Sequence, residues 1–194
     1  MNISNQKRLE TGHTAAKATA SASASATVRL LAQMDESALQ GLTSLLVDCV
    51  EGGASVSFMH PLSPGRAAAF WQQVAEGMDR GERAVLVAED AEGIVGTVQL
   101  VLAQPDNQPH RADVAKMLVH RRARRGGLGA VLMQAAEALA RRQGKSLLVL
   151  DTVTGGDAER LYTRLGWQRC GVIPGYALWP RGGLCDTTYF YRVL

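Results

Sequence analysis

Between Asp113 and Ala130 the chain reads Asp-Val-Ala-Lys-Met-Leu-Val-His-Arg-Arg-Ala-Arg-Arg-Gly-Gly-Leu-Gly-Ala. Its centre, Arg124-Arg125-Gly126-Gly127-Leu128-Gly129, sets two guanidinium groups beside three glycines where a helical pattern begins. Glycine has no Cβ, so main chain there can approach a ligand closely. The first amides of a helix lack acceptors of their own, and the helix dipole favours negative charge. Such a turn binds phosphates, with Arg124 and Arg125 as added donors. A Walker loop would end in Gly-Lys-Ser/Thr, which Gly129-Ala130-Val131 is not. A dinucleotide fingerprint would need a third glycine at position 132, which is Leu132. The pattern that fits is Arg/Gln-x-x-Gly-x-Gly/Ala, from Arg124 to Gly129.

Other chemistries find less support. The three cysteines, Cys49, Cys170 and Cys185, form no CxxC pair, and His13, His60, His110 and His120 are scattered. Neither a disulfide framework nor a metal site is expected, and reduced thiols fit a cytoplasmic protein. The net charge is only +3, and no aromatic residues interleave with the arginines, so nucleic acid is not an expected partner. No apolar run reaches the length of a membrane span, and no leucine-rich secretory segment stands at the N-terminus.

A strand must lead into the arginine turn and a helix must leave it. Arg111 to Val119 supplies the strand. Leu128, Leu132, Ala135 and Leu139 supply the helix, which Gly144 ends. Upstream, residues 1–26 are rich in Ala, Ser and Thr, with too few large apolar groups to offset the entropy of ordering. They read as a flexible tail, and 27–194 as one folded domain; 194 residues at 46% hydrophobic suffice for its core. Val28, Leu30 and Leu31 suggest an edge strand over 27–32. Asp35 is an N-cap for a helix with Leu39, Leu42, Leu46 and Cys49 on one face, stopped by Gly52-Gly53. The loop 53–62 is unusually apolar, holding Val56, Phe58, Met59 and Leu62. Ser63-Pro64 opens a second helix carrying Phe70, Trp71, Val74 and Met78. Strands over 83–89 and 94–103 make a hairpin around Asp90-Ala91-Glu92-Gly93. The apolar run 146–150 reads as a buried strand, and 157–165 as a short helix with Ala158, Leu161, Tyr162 and Leu165 on one face. Strands fill 167–194. The class is α/β with a mixed sheet.

In this context Arg124–Gly129 closely resembles the pyrophosphate-binding motif of the GNAT acetyltransferases, and the resemblance covers 27–194. It implies a single-domain GNAT-like α/β fold: a mixed, mostly antiparallel sheet with a splayed central strand pair and flanking helices. It implies acetyl-CoA as cosubstrate and no metal. Arg124, Arg125, Gly126, Gly127, Leu128, Gly129 and Ala130 would hold the pyrophosphate, and the main chain of Met117, Leu118 and Val119 the acyl arm. An N–H of Leu118 or Val119 would polarise the thioester carbonyl. The acceptor would be an amine of a small molecule, which arrives protonated and requires a general base. Asp113 stands where many members of the family carry glutamate; Asp151, ending an apolar strand, is the second candidate. The structural alternatives are a salt bridge of Asp113 with Arg111 or Lys116, and backbone capping by Asp151. Tyr162 matches the family's general acid; a core tyrosine is the alternative. Specificity would come from Val56, Phe58, Met59 and the segment Pro174 to Trp179. Gly52–Val56, Phe58-Met59, Leu150-Asp151-Thr152 and Pro174-Gly175-Tyr176 are most similar to tabtoxin-resistance acetyltransferases, which points to a toxin or antibiotic as acceptor. An amino acid, a polyamine, a protein N-terminus, or a non-catalytic role in sensing acetyl-CoA are the other readings.

Overall fold

The computed structural model describes residues 26–194. The expected tail thus lies outside the described residues, except for Ala26, which packs against the core. The elements are β1 (Thr27–Leu30), α1 (Glu36–Glu51), α2 (Pro64–Asp79), β2 (Arg83–Asp90), β3 (Gly93–Val101) and β4 (Arg111–Val119). A 3-10 turn (Arg121–Ala123) leads to α3 (Leu128–Arg142), β5 (Leu147–Val153), α4 (Asp157–Arg164), β6 (Gln168–Leu178) and β7 (Leu184–Val193). One seven-stranded sheet runs in the order β1-β2-β3-β4-β5-β7-β6. Only β4 and β5 are parallel; all other pairs are antiparallel.

The helix ends follow from local chemistry. The Asp35 carboxylate accepts from the Ala38 N–H at 2.7 Å, and the Ser63 hydroxyl accepts from the Arg66 N–H at 3.3 Å ahead of Pro64. Helices then cover both faces of the sheet. Leu42, Leu46, Trp71 and Val74 of α1 and α2 bury against Val85, Val87 and Leu118. Leu132, Met133 and Leu139 of α3, with Tyr162 of α4, bury against Val95, Val98, Leu148 and Phe190.

Strand β4 changes face partway along. Thr97 pairs with Leu118 but Gln99 with Ala115, so one extra residue of β4 is fitted opposite Val98. Lys116, at φ 49°, takes up this bulge. The alternation is thereby reversed: Ala112 and Val114 face the α3 core, whereas Leu118 faces α1 and α2. A bulge bends its strand. Strand β4 pairs with β5 only from Arg111 to Asp113, against Leu147 to Val149, and the two strands then separate. The splayed pair expected from the family resemblance is present, and the bulge supplies its geometry.

Several boundaries differ from the sequence reading; strand β1 ends at Leu30 instead of 32. Strand β3 ends at Val101 instead of 103. Strand β5 does not stop at Leu150: Asp151, Thr152 and Val153 pair with Tyr189, Thr188 and Thr187 of β7. Asp151 therefore stands inside a strand, with its backbone paired to β7.

Candidate active site

The arginine turn is braced by neighbours on three sides. The Arg121 N–H and Nε donate to Asp48 on α1 at 2.9 and 2.7 Å. Burial disfavours the Asp48 carboxylate, but Arg121 and the nearby His120 ring outweigh that cost and hold the carboxyl below its ordinary range. Arg122 donates to both carboxylate oxygens of Asp90 at 2.6 and 2.9 Å, fixing the turn to the β2–β3 hairpin. Arg124 Nε donates to the Val119 carbonyl at 3.1 Å. Much of the basic cluster is thus spent on positioning the loop.

What this bracing holds in place is main chain. Among the described residues, the amides of Arg125, Gly126, Gly127, Leu128 and Gly129 donate to no acceptor, and the first bonded amide is that of Ala130, to the Gly127 carbonyl at 2.9 Å. Gly127 is left-handed at φ 82° and has no side chain to cap α3. Gly129 is needed for a different reason: a Cβ there would lie 3.0 Å from Leu161, on α4. Five free amides at a helix start, beside Arg125, make a turn suited to an anion.

A cleft of about 1070 Å³ runs from this cradle between β4 and β5. Its β4 wall carries unpaired backbone. The His120 N–H donates to the Val95 carbonyl at 2.9 Å, so in the alternating ladder the groups of Leu118 also face β3. Met117 and the Val119 N–H are left to face the cleft, the Val119 carbonyl being taken up by Arg124. Of the two N–H groups considered for polarising a thioester, this register favours Val119 over Leu118.

At the far end, side chains converge. Asp151 is exposed to the cleft yet recessed: burial pushes its carboxyl up, the Lys116 ammonium pulls it down, and Asp113 adds a smaller upward push. Lys116 Nζ donates to Ser57 Oγ at 3.2 Å and lies 5.4 Å from the Phe70 ring centroid. Tyr189, the register partner of Asp151, shares a 2.9 Å hydrogen bond with the Tyr176 hydroxyl. That bond, burial and the Asp151 charge push its own hydroxyl up to about 12. The wall is closed by the loop 53–62. Ser55 Oγ donates to the Leu178 carbonyl at 2.9 Å, and the His60 N–H to the Pro180 carbonyl at 2.8 Å.

Tyr162 lies between the two ends. Its ring packs in the core, 6.0 Å from Trp167 and from Phe190, and burial drives its hydroxyl strongly upward, so it stays protonated. The residue still lines the cleft, and its hydroxyl makes no hydrogen bond among the described residues. The core placement of Tyr162 is the arrangement found, and the residue also borders the cleft. Asp113 is placed otherwise. It does not line the cleft, and its carboxylate is held by Arg111 and Gln104. Of its two readings, the salt bridge with Arg111 is the arrangement found. Lys116, considered from sequence only as a salt-bridge partner for Asp113, lines the cleft instead. Its signal was present: strict alternation would bury a lysine beside Val114 and Leu118, and only a bulge avoids that.

Among the described residues no helix is long and apolar enough to cross a membrane, and no group of three His, Cys, Asp or Glu side chains is placed to hold a metal. The fold matches known proteins. A crystal structure of ribosomal-protein-alanine N-acetyltransferase from Brucella melitensis superposes with a TM-score of 0.73 at 22% identity, covering 87% of this chain and 99% of that one. A GNAT phosphinothricin acetyltransferase from Sinorhizobium meliloti, in complex with acetyl-CoA, gives 0.72 at 18% identity, over 88% and 89%. A GCN5-related N-acetyltransferase from Kribbella flavida gives 0.69 at 21%, over 86% and 98%. The fold shared with these structures is the single-domain α/β fold of the GNAT acetyltransferases. Residues 81–169, from just before β2 into β6, match the family model of the acetyltransferase (GNAT) domain.

Proposed function

We propose that this protein transfers the acetyl group of acetyl-CoA to an amine of a small molecule, by direct attack within a ternary complex. The observation that carries the reading is the continuity of one cleft, from five free amides past the open edge of β4 to the Asp151 carboxylate. Bound there, acetyl-CoA supplies an activated acyl group. The residues 125–129 bind its diphosphate, and each charge-assisted amide bond contributes about 1.5–3 kcal/mol. The main chain of Met117 and Val119 aligns the acyl arm, and the Val119 N–H polarises the carbonyl. Asp151 takes the ammonium proton of the acceptor; its raised pKa makes it a stronger base than an ordinary carboxylate. Tyr162, protonated at rest, passes its proton to the departing thiolate and recovers the second proton of the attacking amine, so it ends protonated again.

The closed acceptor end supports a small acceptor. Ser55 and Leu178 both line the cleft and are bonded to each other, which restricts passage of an extended chain. The resemblance of Pro174-Gly175-Tyr176 and its companion segments to tabtoxin-resistance acetyltransferases supports a toxin or antibiotic as that acceptor. Three unpaired thiols suit the reducing cytoplasm. The test is thiol release from acetyl-CoA with a panel of amines: amino acids, polyamines, amine-bearing antibiotics and peptides with free N-termini. Turnover confined to small amines is expected. Efficient acetylation of peptides alone would overturn the small-molecule assignment.

A further inference from the structure

The proposed transfer leaves Lys116 without a task, although it is the one lysine among the described residues lining the cleft. We propose that Lys116 is a self-acetylation site: in the absence of an acceptor, its ε-amine receives the acetyl group of acetyl-CoA bound in the same cleft. This rests on the transferase reading above.

The placement is set by the fold. The bulge that splays β4 from β5 is built on Lys116 itself, so the residue that opens the cleft also lines it. Its backbone adjoins Met117, whose main chain faces the acyl arm. Its side chain is held among Ser57, Phe70 and the charge of Asp151, which is where an acceptor amine would bind. Burial pushes the ammonium down, and Arg83 acts in the same direction, against the opposing pull of Asp151. A larger share of the amine is therefore neutral and nucleophilic than for a solvated lysine. Lys145, the other described lysine, donates to the carbonyls of Leu102 and Pro109 and does not line the cleft.

The chemistry balances without another reactant. The Lys116 ammonium gives one proton to Asp151. The neutral amine attacks the thioester carbonyl carbon, a C–N bond forms and the C–S bond breaks. The second proton of the amine passes to the thiolate. The products are N-acetyl-lysine and coenzyme A with a free thiol. The acetyl group removes the positive charge facing Asp151 and fills the acceptor end, so the modified protein turns over acceptors more slowly.

The full chain is incubated with acetyl-CoA alone, and each lysine is followed by peptide mass mapping. Acetylation of Lys116 is expected on the order of a hundredfold faster than Lys145, because a bound donor replaces a collision. Its rate should not depend on protein concentration, and Gly127→Glu should remove the excess over Lys145. Equal rates at both lysines, or a rate that scales with protein concentration, overturns the proposal. If amines are acetylated while Lys116 stays unmodified, self-acetylation alone fails. If neither amines nor Lys116 are acetylated, the transferase reading fails with it.

Discussion

At one end of the cleft the ligand would meet main chain: consecutive amides from Arg125 to Gly129 and the open edge of β4. At the other end it would meet side chains from separate elements, namely Ser57 from the α1–α2 loop, Lys116 from β4, Asp151 from β5 and Tyr176 from β6. The first end depends on backbone conformation and tolerates most side-chain changes that leave it intact. The second depends on four elements holding their relative positions, and each side chain there can be changed without moving the backbone. Binding of the cosubstrate and reaction with the acceptor should therefore separate under mutation.

The largest effect is expected at the main-chain end. Gly127→Glu puts a negative charge where the diphosphate binds. No atom lies within 4 Å of a Cβ at that position, so the change strains a φ of 82° without disturbing packing. Loss of two charge-assisted bonds weakens acetyl-CoA binding at least about 100-fold by calorimetry. Retained affinity would break the comparison at its foundation. Next, Asp151→Asn should lower kcat about 100-fold or more while leaving the affinity for acetyl-CoA unchanged. Activity of the native protein should rise with pH through an apparent pKa above the ordinary carboxylate range, since the base must be ionised, and Asp151→Asn should lose that limb. The same raised pKa means the ionised carboxylate costs stability in the folded state, so Asp151→Asn should melt slightly higher at neutral pH. Tyr162→Phe should reduce kcat by about tenfold with little change in melting, because the hydroxyl has no partner among the described residues to lose. The smallest effect is expected from Asp113→Asn. It loses a partly exposed pair with Arg111, about 0–1 kcal/mol of stability, and leaves kcat within about twofold. A large fall in kcat from Asp113→Asn would mean that the acceptor end reaches further than the cleft drawn here.

The two ends also differ in how far they could be read beforehand. The cradle is a contiguous stretch whose function needs only glycines, a helix start and nearby arginines, all local properties. The order of helices and strands was legible for the same reason, since caps and periodicity are local. Asp113 and Asp151 could not be ranked from sequence, because both are carboxylates on neighbouring strands. Their difference is that Arg111 and Gln104 engage one while the cleft desolvates the other. The place of Lys116 in the cleft was not legible because it depends on a bulge defined only by pairing with β3.

The sequence by itself determined the order of the elements and the glycine-rich turn at the start of α3, because each is encoded within a few adjacent residues. The tertiary structure alone decided which carboxylate lines the cleft, which main-chain groups of β4 face it, and which loop walls its far end. Those outcomes depend on register and on contacts between residues as far apart as Ser55 and Leu178, and no local pattern of residue types specifies them.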